Sequence, residues 1–364
     1  MDFRRLAGKI SGALLPAFAA FSLLLAFGAA PQERAALSTS HVKIRQLMEI
    51  QEAVTPDLMA NEDIIGTAIG ADDDGQPSLI VYVNLEGRNP AEAVRSTPRT
   101  LRGANVTVEV VEPFRAMVGK PGGASHTAKQ SFPIQLGTSG GFGYDLANGY
   151  CCGGTLGALV QIGGSQYILS NYHVFESDIV NGGNNLVAKN GDPIIQPGLI
   201  DVSCNLNNAQ AVATLAVKKS LPDSNVDASV AQVIPGAVSG DILEIGSISS
   251  QIEPAVLGQL VKKSGRTTGL TRSSVSGLNA TVSVTYDNEC AGGTAFTKTF
   301  TGQIIINNKG SRFLNSGDSG SLMVQDADTN PRAVGLLYAG SSSLAVANPI
   351  GDVLSFLGAT MVGK

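Results

Sequence analysis

Tryptophan is absent from this 364-residue chain, histidine occurs three times, cysteine four times, and only 5% of residues are aromatic. Charged residues make up 15% and the net charge is −5, so the basic footprint of a nucleic-acid-binding protein is missing. No C-x-x-C spacing occurs, which together with the scarce histidine argues against a zinc-type centre built on the cysteines. What the chain has is 43 glycines and many short Val/Ile/Thr runs, a composition suited to an all-β core rather than a helical bundle. Its 43% of hydrophobic residues can fill such a core, which excludes a disordered chain. The length suits two folded domains, or one large domain with an appendage.

The first thirty residues stand apart. Arg4, Arg5 and Lys9 precede an uncharged apolar run, residues 10–30, that ends in the small residues Ala26, Gly28, Ala29 and Ala30. This is the layout of a secretory signal peptide cut after Gly28 or Ala29, since Pro31 blocks a cut directly before it. The alternative is an uncleaved anchor of near membrane-spanning length, the only route to membrane contact. Export to a secreted or periplasmic location fits four cysteines, Cys151, Cys152, Cys204 and Cys290, which permit three pairings. Cys151 and Cys152 are adjacent and are not expected to bridge each other.

Residues 31–117 read as a small α+β domain. Ile44, Leu47, Met48 and Val54 share a helical face that Pro56 should disturb. Two β-rich runs, 64–70 and 79–83, flank the turn Asp72-Asp73-Asp74-Gly75. That acidic triplet lacks the spacing and closing Glu of a calcium loop and reads as a hairpin. Asn89-Pro90 reads as N-cap and first residue of a short helix, and 106–111 as a third strand. Residues 118–137 form the expected linker. Beyond it, 138–364 is a run of short apolar segments between Gly, Asn and Ser clusters, the signature of a β-sandwich or β-barrels, closed by a helix from Gly351.

Histidine limits the chemistry to His41, His126 and His173, and only His173 follows a strand-like run in the β-rich region. Asn315-Ser316-Gly317-Asp318-Ser319-Gly320-Ser321 sets a Ser among glycines before an apolar strand. A nucleophilic Ser needs such a tight turn, with backbone N–H groups free to bind an oxyanion. In Asn225-Val226-Asp227-Ala228-Ser229-Val230 a carboxylate enters an apolar run, where it is costly without a partner. Nearby Asp223 reads as a loop residue. No His follows His173, so the order is His173, Asp227, Ser319, and the α/β-hydrolase order is excluded. Gly137-Thr138-Ser139-Gly140-Gly141 matches G-x-S-x-G without its strand–helix setting and reads as chance.

These three motifs resemble the chymotrypsin/trypsin-like serine peptidase family. Leu169-Ser170-Asn171-Tyr172-His173-Val174 is similar to the family's L-T-A-A-H-C strand end, Asp227-Ala228-Ser229-Val230 to D-x-A-[LV], and Gly317-Asp318-Ser319-Gly320-Ser321 to its nucleophile loop. The chain further resembles bacterial members that carry a small N-terminal α/β unit, through landmarks at 154–160, 263–271 and 347–350. The resemblance, which covers 154 to the C-terminus, implies a mainly β fold of two six-stranded antiparallel β-barrels with the site between them. It implies Ser319 as nucleophile, His173 as proton carrier and Asp227 as its orienting acid. Gly317 and Ser319 amides become the oxyanion hole, and no metal or organic cofactor is needed. Arg266, in the Gly-Arg-Thr-Thr-Gly stretch, is read as structural in a surface turn rather than as a substrate anchor.

The departures are specific. No Ile-Val-Gly-Gly-like start precedes the domain, and Val174 replaces the cysteine that follows the histidine in animal enzymes. Phe313 falls near the base of the family's specificity pocket, and Gly340, after Tyr338-Ala339, leaves its wall open, which implies small or apolar P1 residues. The expected function is an exported serine endopeptidase acting on protein or peptide substrates. The alternative is a latent or inactive peptidase-fold module that binds peptides. The oligomeric state is not legible.

Overall fold

The computed structural model describes residues 37–116, 124–147, 150–176, 188–286, 296–308 and 312–364. The expected signal segment and Cys290 lie outside them. Among the described residues no helix is long and apolar enough to cross a membrane.

Helix α1 spans Val42–Met59 and buries Ile44, Leu47 and Val54. Pro56 was expected to disturb it, yet the helix runs through: the missing proline amide falls in the last turn, and Ala60 N still donates to Pro56 O at 3.1 Å. Strands β1 (Ile64–Ala71) and β2 (Pro77–Asn84) form a hairpin in which Asp72 Oδ1 accepts from Asp74 N and Gln76 N. Helix α2 (Pro90–Ser96) starts after Asn89, whose side chain makes no cap bond. Asp63 instead fixes the chain that enters the helix, accepting from Arg88 N at 2.8 Å and Asn89 N at 2.7 Å. Strand β3 (Ala104–Val111) then pairs parallel with β2, and the short β4 (Phe114–Ala116) follows. Residues 124–127, within the segment expected as linker, form the helical turn α3 (Ala124–Thr127). Its His126 is buried, with Nδ1 2.9 Å from Gly137 O and Nε2 2.8 Å from Glu244 Oε2.

The next strands are β5 (Thr138–Phe142), β6 (Gly154–Leu156), β7 (Ala158–Ile162), β8 (Ser165–Ser170), β9 (Pro193–Gln196), β10 (Gln210–Ala216) and β11 (Ser229–Val233). They pair in the order β6-β5-β9-β10-β11-β8-β7, and β6 and β7 are one strand broken at Gly157, so six strands close on themselves. A Cβ on Gly157 would stand 2.2 Å from Gly320 O, so only glycine fits at the break.

A second six form another ring: β12 (Leu260–Gly265), β13 (Gly269–Tyr286), β14 (Phe296–Asn307), β15 (Leu322–Gln325), β16 (Ala333–Gly340) and β17 (Leu344–Pro349). Their order is β12-β15-β16-β17-β14-β13, and β12–β13 pairing closes it. Helix α5 (Ile350–Leu357) covers the junction with buried Ile350, Val353, Leu354 and Leu357, and Gly358 ends it at φ +61°. The expected mainly β architecture of two six-stranded antiparallel barrels is present.

The N-terminal strands continue the second barrel's sheet. β1 pairs antiparallel with the long β13, placing Gly66 opposite Val282 and Thr67 opposite Thr281. A Cβ on Gly66 would lie 2.6 Å from Thr281 O, so a side chain there would push the two strands apart.

One disulfide joins Cys151 to Cys204 across 53 residues, and no described cysteine is free. Closing a loop of that length contributes about 4 kcal/mol in the chain-entropy account. Replacing both cysteines by Ala should therefore lower the denaturant midpoint markedly, and an unchanged midpoint would contradict that contribution.

Candidate functional site

Two adjacent strands bring His173 and Asp227 together. β8 ends at Ser170, which is paired with Ser229 at the start of β11. His173 follows in the single helical turn α4 (Tyr172–Phe175), and Asp227 stands two residues before β11. Asn171 locks the junction, its Nδ2 donating to Asp227 O at 2.7 Å. The Asp227 carboxylate is fully buried and has four donors. Oδ1 accepts from Tyr172 N at 2.7 Å and His173 N at 3.3 Å. Oδ2 accepts from His173 Nδ1 at 2.6 Å and Tyr286 Oη at 2.9 Å. A carboxylate buried away from water needs partners of this kind.

Three other buried groups feel this anion. Burial pushes the Tyr286 and Tyr338 phenols well above their ordinary range, and the Asp227 charge adds to the shift. Burial also raises the Glu176 carboxyl; hydrogen bonds from Ser229 and the Lys218 and Lys219 amides oppose this, while the Asp227 charge adds to it. Sequence reasoning missed Tyr286, which a short Val/Tyr run gave no reason to single out. It also missed Asn348, whose Oδ1 accepts from Asp227 N at 2.8 Å and whose Nδ2 donates to Gln303 Oε1 at 2.6 Å. Asn348 belongs to the Ala-Asn-Pro-Ile landmark, which was the available signal.

Ser319 sits at the end of a tight loop before β15 and is almost wholly buried. Its Oγ faces Tyr338 O at 3.4 Å, whereas His173 Nε2 is buried with no hydrogen-bond partner. The Asp227–His173 link is thus made and the His173–Ser319 link is not. The loop itself is tightly fixed. Thr267 Oγ1 donates to Ser316 O at 2.6 Å and Thr155 Oγ1 to Gly317 O at 2.9 Å, with Gly317 at φ +93°. Fixing the Ser316 carbonyl fixes the Gly317 N–H on the opposite side of the same peptide plane. Among the described residues neither the Gly317 nor the Ser319 amide has a protein acceptor.

Asp318 anchors this loop. Its Oδ1 accepts from Thr267 N at 2.9 Å and Thr268 N at 3.1 Å. Its Oδ2 accepts from Thr268 Oγ1 at 2.7 Å and Asn315 N at 2.9 Å, and stands 3.2 Å from Lys263 Nζ. Both charged side chains are fully buried. Burial lowers the Lys263 amine, while Asp318 opposes that by favouring the ammonium. Lys263 also donates to Thr268 Oγ1 and to Gly269 O. The landmark at 263–271 is therefore the cradle of the Ser319 loop.

Arg266, expected in a surface turn, is 1% exposed. It makes a bidentate pair with Asp201, Nε to Oδ2 at 2.7 Å and one terminal nitrogen to Oδ1 at 2.6 Å. Asp201 also accepts from Ser139 Oγ at 2.5 Å, which gives the Ser of the chance G-x-S-x-G string a structural role. The pair ties the first barrel to the cradle hairpin of the second. Arg266→Lys keeps the charge but cannot reproduce the fork, and we expect a loss of about 1.5–3 kcal/mol in unfolding free energy. A loss under 1 kcal/mol in denaturant titration would contradict this.

Phe313 lines no described cavity; it is fully buried in the second barrel with Val261, Met323 and Leu337. Nor is the space at Gly340 open. A Cβ there would lie 2.8 Å from Leu314 Cδ2, and Arg115 of β4 is its strand partner. The largest described cavity, about 1090 Å³, lies elsewhere, between α1 and the β13–β14 pair. Among the described residues no cluster of His, Cys, Asp and Glu could hold a metal ion.

The family model of the Nal1 C-terminal domain matches residues 208–347, a stretch that contains Asp227 and Ser319 but not His173. No curated protein matches the chain. Among solved structures, the chain is similar to a glutamic-acid-specific serine protease at 19% identity, with 63% of this chain and 100% of that one covered and a TM-score of 0.41. It is similar to Thermobifida fusca protease A at 18% identity, covering 64% and 99%, with a TM-score of 0.42. It is also similar to a Nocardiopsis protease at 15% identity, covering 61% and 97%, with a TM-score of 0.38.

Proposed function

We propose that the chain is an exported serine endopeptidase. The observation that carries this reading is the buried Asp227 carboxylate, which holds His173 Nδ1 at 2.6 Å beside a loop that presents Ser319. With Nδ1–H donating to Asp227, neutral His173 keeps its lone pair at Nε2, the atom with no other partner. In the proposed reaction Nε2 takes the Ser319 proton as Oγ attacks the scissile carbonyl carbon. The Gly317 and Ser319 amides stabilise the oxyanion, by about 3–4 kcal/mol per donor. The imidazolium then protonates the leaving amine, and an acyl group remains on Ser319. Water, deprotonated by His173, releases the acid and restores the serine. No metal or organic cofactor enters these steps. The Cys151–Cys204 bond fits an oxidising compartment.

A nitrophenyl ester tests the reading: a burst of one nitrophenolate per chain, with the acyl mass on the peptide containing Ser319, is expected. A folded chain that gives neither burst nor adduct would overturn it. One observation favours the second reading, a latent peptide-binding module: the Ser319 hydroxyl faces Tyr338 O rather than His173.

A further inference from the structure

Strand β4 occupies an unusual place. It is three residues long, yet it lies between the two strands that flank the candidate site. On one side it pairs antiparallel with β16, Ala116 opposite Ala339 and Arg115 opposite Gly340. On the other it runs parallel to β13, Ala116 level with Tyr286 and Phe114 level with Val284. Both neighbours touch the reacting groups. Tyr338, one residue before Ala339, accepts the Ser319 hydroxyl bond, and Tyr286 donates to Asp227. The C-terminal end of β4 is therefore the end nearest the chemistry.

The strand is anchored at the far end. Phe114 is fully buried, edge-on to Tyr82 at 5.7 Å between ring centres, in a cluster with Tyr286 and Tyr338. Just upstream, Glu112 Oε2 accepts from Ser342 N at 3.2 Å, so the segment follows β16 beyond its own pairing. Arg115 points to the surface, where it pairs with Glu86 at 3.3 Å.

An enzyme that cuts a peptide must hold it extended beside the nucleophile, and main-chain pairing to a strand edge is the sequence-tolerant way to do so. The edge of β16 next to Ser319 is the main chain available for that purpose, and β4 already pairs with it. We propose that β4 is a resident substrate mimic: it fills the peptide-binding edge at Ala339–Gly340 and keeps the site latent toward extended peptides. The fit of β4 also names the ligand class. A competing peptide carries a bulky aromatic residue where Phe114 sits, a tolerant position at Arg115 and a small residue at Ala116. This inference rests on the peptidase reading for its purpose, but the strand exchange itself needs no catalysis.

The test uses a fluorescein-labelled pentapeptide, Glu-Pro-Phe-Arg-Ala, and the full chain carrying Ser319→Ala, with binding read by anisotropy. Ala116→Glu, which forces a charge into the buried end of β4, and Arg115→Pro, which deletes an amide donor, should each release the edge. If the edge is free in roughly one chain in ten, release tightens peptide binding about tenfold. The gain should vanish for a peptide with Ala in place of Phe. In a second arm, Ala116→Cys with Ala339→Cys locks the strand in place, and peptide binding should disappear until that cross-link is reduced. Unchanged affinity in a folded release variant, or peptide binding to the locked chain equal to that of the parent, would overturn the proposal. If the release and locking effects hold while the unmodified Ser319 shows no reactivity, the peptidase reading fails alone and the strand proposal stands.

Discussion

Asp227→Asn is expected to lower kcat/KM by about four orders of magnitude while the fold persists. The reason lies in how the four donors divide between the two carboxylate oxygens. Tyr172 N and His173 N bond Oδ1, and an asparagine carbonyl placed there keeps both. The amide NH2 then falls at Oδ2, facing His173 Nδ1 and the Tyr286 hydroxyl. It donates to Nδ1, which drives the imidazole proton to Nε2 and removes the base that Ser319 needs. Four orders correspond to about 5 kcal/mol of transition-state stabilisation. Measured kcat/KM for an activated ester, together with the thermal midpoint, checks this. A loss of less than tenfold in a folded variant would contradict the assigned role of Asp227.

The second large effect concerns Lys263. Lys263→Met leaves the Asp318 carboxylate buried without its cation, though its four other donors remain. Removing one member of a buried pair costs about 3–5 kcal/mol, because the remaining charge is uncompensated. The Ser319 loop should also loosen, since Asp318 lies between the two amides proposed to bind the oxyanion. Loss of such a donor costs about a hundred- to a thousandfold in kcat. The expected signature is therefore a drop in kcat and in the unfolding midpoint, with the activity loss partly restored in Lys263→Met with Asp318→Asn. If the double variant is no better than the single, the pair does not act as a unit.

Much of this site was legible because its local signals are strong. His173 follows a strand and precedes a helical turn, Asp227 enters an apolar run, and Ser319 lies in a glycine-flanked loop, each within a span of a few residues. The supporting residues depend on distant pairing and left no such trace. Arg266 reads as a surface-turn residue and nothing in the sequence singles out Lys263, yet long-range partners Asp201 and Asp318 draw both inside. The apolar-run criterion found only the last third of β13, residues 282–286, because its first part is Thr, Arg, Ser and Gly on a twisted, bulged strand. Nor could composition reveal that β1 adds to β13 or that β4 inserts beside β16. These contacts join residues more than two hundred positions apart. The specificity pocket fared worst for a related reason: alignment placed Phe313 near its base, and packing put the ring in the barrel core.

We propose above that Ser319 is a nucleophile activated by His173. Labelling of the purified chain by a small fluorophosphonate, beside Ser319→Ala and His173→Ala, tests it directly, because the probe needs no extended peptide edge. Labelling at Ser319 that both substitutions abolish is the expected result. A folded chain that remains unlabelled, or labelling that survives Ser319→Ala, would contradict it.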